Sequence, residues 1–451
     1  MPRDGGPISS VSEASPATAR HWPRNRPRGR VRQVASETFC VLPWLHAATL
    51  TDGTVQLCCV SAGGSGVDLN ESSLDEYWNC EYVRDARRRM LAGKKVMACE
   101  RCYHDEAHGR RSQRMIENDA WLQRCGGQAI SDLIGATEAD GTIDAPVQYI
   151  DLRLGNTCNM QCVMCQPRES SRWIPLARRL SELSQDRQLR REWRDKAGID
   201  HSRFEWYRHP EFWSNLTRFL PGLRQIHLAG GEPFLIKQQA EFVKACCELG
   251  EAGHISLHYH TNATIFPEEL VPYWDQFEHV FFMISIDGIG EVANYVRYPS
   301  DWERIVANIR CFDSLGPNTL LQLHSTIHAL NVYRFPELLE WADTAELQNR
   351  KRFDSIQGFV GSGLVQNPTH QDIRVLPPGL KRLITRRLTD YIRSRPAGEP
   401  VDQLNSVLVV LNSADWSRRM RPLIHHTTLL DRIRGSDVLS TFPELAPYWQ
   451  G

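Results

Sequence analysis

The sequence lacks the features that would fix a membrane location or a polyanionic partner. No apolar run approaches the stretch of about eighteen residues that crosses a bilayer, and the N-terminal region has no hydrophobic segment of the secretory kind. A cytoplasmic protein with no membrane association is expected. Neither sign of charge dominates, since 53 Lys and Arg stand against 54 Asp and Glu for a formal net charge of -1. A generally nucleic-acid-binding surface is therefore excluded. Internal repeats are also absent. Cysteine, by contrast, is plentiful at 13 residues. Without a secretory segment these point to free thiols, metal ligation or catalysis, because the cytosol keeps ordinary disulfides reduced.

At 451 residues the chain exceeds a single compact core, so a large domain with a smaller companion is expected. Residues 1–36, rich in Pro, Arg, Ser and Gly, read as a disordered, solvated arm whose arginines are able to touch an acidic partner. Residues 37–113 form a cysteine-bearing unit. Within it, Thr51-Asp52-Gly53-Thr54 between two apolar runs predicts a β-hairpin, and residues 73–91 predict one helix capped by Ser72 or Ser73. Residues 114–146 read as a partly helical connector.

From 147 to 374, apolar runs beginning near residues 147, 223, 254, 280, 320 and 353 alternate with helical patterns. A largely helical, tryptophan-rich insertion over 168–220 interrupts them. Such alternation argues for βαβ units around a parallel sheet. Six strands with polar groups at their C-terminal ends predict an α/β fold of the partial (β/α)6, TIM-like barrel kind. Residues 375–451 read as helical, with "SVLVVLNSADW" ambiguous between helix and strand.

Immediately after the first of these strands comes "RLGNTCNMQCVMC", with Cys158, Cys162 and Cys165 at C-x3-C-x2-C spacing. A closed zinc site or a four-thiolate cluster needs four ligands. Three thiolates on one loop hold three irons of a cubane and leave the fourth iron open.

This loop resembles the signature of the radical S-adenosylmethionine (radical SAM) superfamily. Gly230-Gly231-Glu232-Pro233, at the end of the second strand, resembles that superfamily's GGEP segment, which binds the methionine amino group of SAM. The residue types suit that role, since two glycines permit close backbone approach and a carboxylate accepts from an ammonium. By the same resemblance, Asn262, Ser285 and Asp287 are candidates for the ribose and carboxylate of SAM, and Arg297 for a carboxylate partner. Read without the resemblance, they are turn, capping and surface residues. Many members carry an aromatic residue before the third cysteine, where it packs on adenine. Here that position is Met164, whose polarizable thioether can also contact an aromatic face.

Cys40, Cys58, Cys99 and Cys102 surround the predicted hairpin. Their spacing resembles the opening of the SPASM auxiliary-cluster module, or its shorter twitch form, although that module usually follows the core. One auxiliary 4Fe-4S cluster is implied. A structural zinc site is the competing reading, and Cys59 is an alternative to Cys58.

Six cysteines remain: Cys59, Cys80, Cys125, Cys246, Cys247 and Cys311. Burial is the usual fate of such residues, but one is a candidate hydrogen-atom donor to a substrate radical. Cys246 and Cys247 fall mid-helix, on the outer layer. The remaining histidines and the tryptophans default to packing and surface roles. The resemblance implies an enzyme that cleaves SAM to a 5′-deoxyadenosyl radical, with an external electron donor such as a ferredoxin or flavodoxin. Its first expected outcome is epimerisation of a carbohydrate or other small-molecule secondary metabolite, as in antibiotic biosynthesis. The second is crosslinking or oxidation of a ribosomally made peptide.

Overall fold

The computed structural model describes residues 36–107, 111–350, 359–396 and 398–449. The arm expected over 1–36 lies outside the described residues except for Ser36. One sheet runs in the order β2-β1-β3-β4-β5-β6-β7-β8. Its strands are β1 His46–Thr49, β2 Val55–Gln56, β3 Tyr149–Leu154, β4 Gln225–Gly230, β5 Ser256–Thr261, β6 His279–Ser285, β7 Thr319–Ile327 and β8 Val360–Leu364. Every neighbouring pair is parallel except β1 with β2. The α/β class with a mostly parallel sheet is as expected.

From β3 to β8 the sheet grows in chain order without reversal, and right-handed crossovers then put the connecting helices on one face. Tyr259 and Phe282 mark that face. The Tyr259 hydroxyl donates to Gln239 Oε1 (3.2 Å) on the helix Lys237–Glu248, and the Phe282 ring lies 4.5 Å from Phe312 on the helix Trp302–Asp313. Leu257, Phe282 and Ile284 are buried there. Because strand side chains alternate, His258, His260, Met283 and Ser285 fall on the inner face. A sheet with helices on one side buries its other side by curling. Accordingly the His260 ring on β5 comes within 6.2 Å of the His324 ring on β7, across β6.

The expected hairpin turns at Gly53, where φ is 87°, and it extends the same sheet, with Ala47 of β1 in register with Ile150 of β3. The sixth expected strand begins at 353, among residues outside the described set, and the strand found there is Val360–Leu364. The ambiguous segment near the C-terminus lies in and just beyond the helix Glu399–Asn412. Among the described residues no helix is long and apolar enough to cross a membrane.

One expectation needs correction: the single helix over 73–91 is two, Leu74–Trp78 and Glu81–Leu91. Ser73 caps the first, and the break falls at Asn79, whose side chain leaves the helix. Its Nδ2 donates to Ile143 O (3.1 Å), while its Oδ1 accepts from Ile143 N (3.2 Å) and Arg87 Nη1 (2.7 Å).

Arg87 is fully buried, and carbonyl dipoles rather than a carboxylate surround its charge. It donates to Pro43 O (2.8 Å), Gly141 O (3.1 Å) and Trp78 O (3.0 Å), tying the segment before β1 to the connector before β3. Removing it leaves several buried acceptors unpaired. Arg87→Ala should destabilise the protein by about 3 kcal/mol, measured from the denaturant midpoint, and Arg87→Lys should recover little because an ammonium cannot reproduce the planar fork.

Candidate active site

The cysteine loop leaves β3 at Leu154 and is pressed against the end of β4. A Cβ at Gly230, where φ is 129°, would stand 2.8 Å from Leu154 N, and one at Gly231 would stand 2.2 Å from Thr157 O. Gly231 N donates to Gly155 O (3.1 Å) and Glu232 N to Thr157 O (2.8 Å). The close approach these glycines permit is thus to the cysteine loop's own backbone. Elsewhere the loop is held by Trp173 Nε1 to Cys162 O (3.0 Å), Gln371 Nε2 to Val163 O (3.2 Å) and Val163 N to Val296 O (2.8 Å).

The three thiols lie within electrostatic reach of one another. A hydrogen bond between the Cys162 and Cys165 thiols makes Cys162 the more acidic of the two, and Arg297 adds to this. Burial pushes Cys158 up to about 12, with Cys162 adding to the rise. Two N–H donors face the sulfurs: Asn262 Nδ2 is 4.0 Å from Cys158 Sγ, and Arg297 Nη1 is 3.9 Å from Cys162 Sγ. Donors so placed favour thiolate over thiol.

Glu232 is buried against the end of β5, where its carboxylate accepts from Thr261 Oγ1 (2.8 Å) and Asn262 N (2.8 Å). Burial outweighs those donors and pushes its carboxyl up to about 7. Asn262 also donates to Asn159 Oδ1 (3.0 Å), joining β5 to the cysteine loop. Asp287 and Arg297 meet each other, with Nε 2.7 Å from Oδ2. Burial opposes the guanidinium charge, but Asp287 and the Cys162 and Cys165 sulfurs outweigh it and raise the Arg297 pKa. Ser285 is half-buried at the end of β6, and Met164 is half-buried against the core.

The second thiol set occupies the other end of the strands. Cys40 precedes β1, and Cys58 follows β2, which runs back antiparallel to it. Both therefore lie at the N-terminal end of the parallel sheet, opposite the Cys158 loop. Cys99 and the helix Glu100–Ala107, which carries Cys102, complete a group of four. Burial pushes Cys58 and Cys99 each up to about 12; after burial and a backbone hydrogen bond, Cys99 and Cys102 act on Cys58, and Cys102 acts on Cys99. Cys40 is raised by burial and then chiefly by Cys58. Cys59 turns elsewhere: after burial, its strongest neighbour is Asp151, followed by Cys58 and Arg153. Cys99 and Cys102 stand among the main charges acting on Cys58 and not among those acting on Cys59.

Of the other spare cysteines, Cys246 is buried on the helix Lys237–Glu248, Cys247 Sγ donates to Tyr273 O (3.5 Å), and Cys311 is exposed. Cys125 lies beside Arg124 and Arg224, and Cys80 precedes the helix Glu81–Leu91.

Sequence reasoning missed a polar cluster on the inner face. Asp151 Oδ1 lies 3.3 Å from His227 Nδ1, and His227 Nε2 is hydrogen-bonded to His260 Nδ1. Burial opposes ionisation of Asp151, yet His227 and Arg153 hold its carboxyl well below the usual range. Burial, then the charges of His227 and His324, hold His260 well below an ordinary imidazole. The available signal was the period of two, with His258 and His260 alternating with Leu257 and Tyr259. Away from these groups, a surface cavity of about 210 Å³ opens between residues 69–74 and residues 209, 211, 212 and 215.

Residues 152–342 match the family model of the Radical SAM superfamily. The chain carries a radical SAM superfamily domain. That domain implies an enzyme, with a 4Fe-4S cluster and SAM, and it spans Cys158, Cys162, Cys165, Gly230 to Glu232 and Arg297; Cys40, Cys58, Cys99 and Cys102 lie before it. No curated protein matches the chain. Among solved structures, Streptococcus suis SuiB is 13% identical over 81% of this chain and 70% of that one, with a TM-score of 0.32. The enzyme anSMEcpe with bound AdoMet is 15% identical over 55% of this chain and 60% of that one, with a TM-score of 0.34. TYW1 with a lysine–pyruvate adduct is 12% identical over 57% of this chain and 76% of that one, with a TM-score of 0.26. Likenesses this slight bear on neither substrate nor reaction.

The radical SAM loop fits its cluster by its donor chemistry: three neighbouring thiols, two facing N–H donors, and backbone contacts that hold the loop against β4. Among the described residues no three His, Cys, Asp or Glu side chains converge closely enough to share one metal ion, whereas a cubane takes its thiolates at separate irons. Gly231→Ala should displace Thr157 and the loop, cutting the iron retained at this site several-fold without unfolding the sheet. Iron analysis beside circular dichroism checks this.

Proposed function

We propose that the protein is a radical SAM epimerase acting on a sugar-containing or other secondary metabolite, with Cys59 as the hydrogen-atom donor. In this reading β3 to β8 form the partial (β/α)6 barrel, and residues 37–113 hold a twitch- or SPASM-like auxiliary 4Fe-4S cluster on Cys40, Cys58, Cys99 and Cys102. Glu232, Asn262, Ser285 and Arg297 are read as contacts for SAM, Gly230 and Gly231 as the backbone beside it, Asp287 as the group that orients Arg297, and Met164 as the adenine neighbour.

One observation carries the choice of reaction. Among the six cysteines outside the two sets, Cys59 is the one whose electrostatic neighbours, Asp151 and Arg153, line the inner face. It approaches from the strand end opposite Cys158, Cys162 and Cys165. Inversion requires that opposition, since hydrogen must leave one face of the carbon and return to the other.

Loaded with its cluster and SAM, and given one electron by a ferredoxin- or flavodoxin-like donor, the three-cysteine site would supply a 5′-deoxyadenosyl radical, with methionine released, to take one hydrogen atom from a substrate C–H bond. The Cys59 S–H bond then breaks homolytically as the new C–H bond forms. A second electron from that donor and one proton would restore the thiol. The inner face, closed by the curled sheet, keeps water from the substrate radical. The alternative, crosslinking or oxidation of a ribosomal peptide, needs no thiol donor.

Anaerobically reconstituted protein should carry about eight irons, and the Cys158, Cys162 and Cys165 triple alanine variant about four. Zinc in place of the residual iron would remove the auxiliary cluster. For the reaction, turnover of candidate metabolites in deuterium oxide should place solvent deuterium at the inverted carbon. Cys59→Ala should still form 5′-deoxyadenosine but lose the inverted product. Undiminished product from that variant defeats the epimerase reading, and a crosslinked or desaturated peptide decides for the alternative.

A further inference from the structure

Beyond the reaction, Arg153 is a cation on the inner face whose hydrogen-bonding capacity is almost unspent among the described residues. Arg153 points inward from β3, one register step from the Leu154–Gly230 pair that ends it. Its Nη2 comes no closer than 4.0 Å to Asp151 Oδ2, and its Nε has no hydrogen-bond partner among the described residues. A guanidinium has five N–H donors in a fixed fork. Arg297, by contrast, is already paired with Asp287 at 2.7 Å.

Asp151 does not use up this charge, because its Oδ1 is turned to His227 Nδ1 at 3.3 Å. His227 Nε2 and His260 Nδ1 share one hydrogen bond, whose direction follows the proton on His227. The remaining nitrogen of His260, Nε2, has no hydrogen-bond partner among the described residues. An unspent ring nitrogen pairs with a hydroxyl, which can both donate and accept. The His324 ring, 6.2 Å away, walls the other side.

We infer that the inner face binds a small substrate bearing a carboxylate or phosphate, held by Arg153, with a hydroxyl of the same molecule hydrogen-bonded to His260 Nε2. Two parallel N–H···O bonds from the guanidinium match either anion. The inference rests on the small-molecule reading of the preceding section and gives that substrate its chemical class.

The test is equilibrium binding to the anaerobic, cluster-loaded, SAM-bound protein, with no turnover required, using glucose, glucuronate and glucose 6-phosphate as probes. A failed epimerisation assay leaves this measurement intact, so the two readings fail separately. At least one anionic sugar should bind tenfold or more tightly than glucose. Preference for glucuronate identifies a carboxylate substrate, and preference for glucose 6-phosphate a phosphorylated one. Arg153→Gln should abolish the preference while iron content and circular dichroism stay unchanged, and Arg153→Lys, which keeps the charge but loses the fork, should retain part of it. Equal binding of the three sugars, no saturable binding of either anion, or a preference that survives Arg153→Gln would overturn the inference.

Discussion

The backbone of Gly231 lies against the Thr157 carbonyl with no room for a side chain between them, and the placing of the cysteine loop depends on that contact. It makes the end of β4 a backstop for the loop that leaves β3. Glu232 then takes its orientation from the same turn and reaches β5 through Thr261 and Asn262. Asn262 returns to the loop through Asn159. Three adjacent strand ends are thereby locked around one set of thiols, which is how a loop without regular structure can present sulfurs in a fixed arrangement.

Electrostatics divides the interior into two ends and a middle. At each end buried thiols crowd together and burial raises most of them, so each set gains by meeting positive charge. Arg297 supplies some at one end and Arg114 at the other. Between them the inner face is lined by Asp151, His227, His260 and Arg153, groups that burial would ordinarily exclude. The hydrogen bond between His227 and His260, and the attraction of Asp151 to His227 and Arg153, reduce the cost without removing it. The parallel strand direction makes this possible, because it sends one cysteine set to the beginning of the sheet and the other to its end.

Much of this was legible in the sequence, for physical reasons that differ by element. The strands from 147 to 320 announced themselves because one face must pack against helices and so alternates in polarity. The hairpin did so because Gly53 occupies a left-handed conformation. The three-cysteine loop was visible through its C-x3-C-x2-C spacing after a strand, and Gly230-Gly231 through its resemblance to the GGEP segment at the next strand's end. What escaped notice depends on contacts between distant residues. Asn79 breaks a helix only because Ile143 offers it better partners than the next turn does. That Cys59 has Asp151 and Arg153 as electrostatic neighbours, where Cys58 has Cys99 and Cys102, is invisible in the dipeptide Cys58-Cys59. His227, His260 and Arg153 read as ordinary strand residues until the sheet curls and brings them together.

The hairpin has a further effect through the strand it covers. Without β1, the backbone donors and acceptors along one side of β3 would be an open sheet edge, long and apolar enough to pair with another chain. β1 closes that edge, and the new edge is β2, only two residues long. An edge that short offers a passing strand too few partners to hold it. The segment that carries the second cysteine set therefore also terminates the sheet, and a protein trimmed back to its radical SAM domain would expose the strand from which its cysteine loop departs.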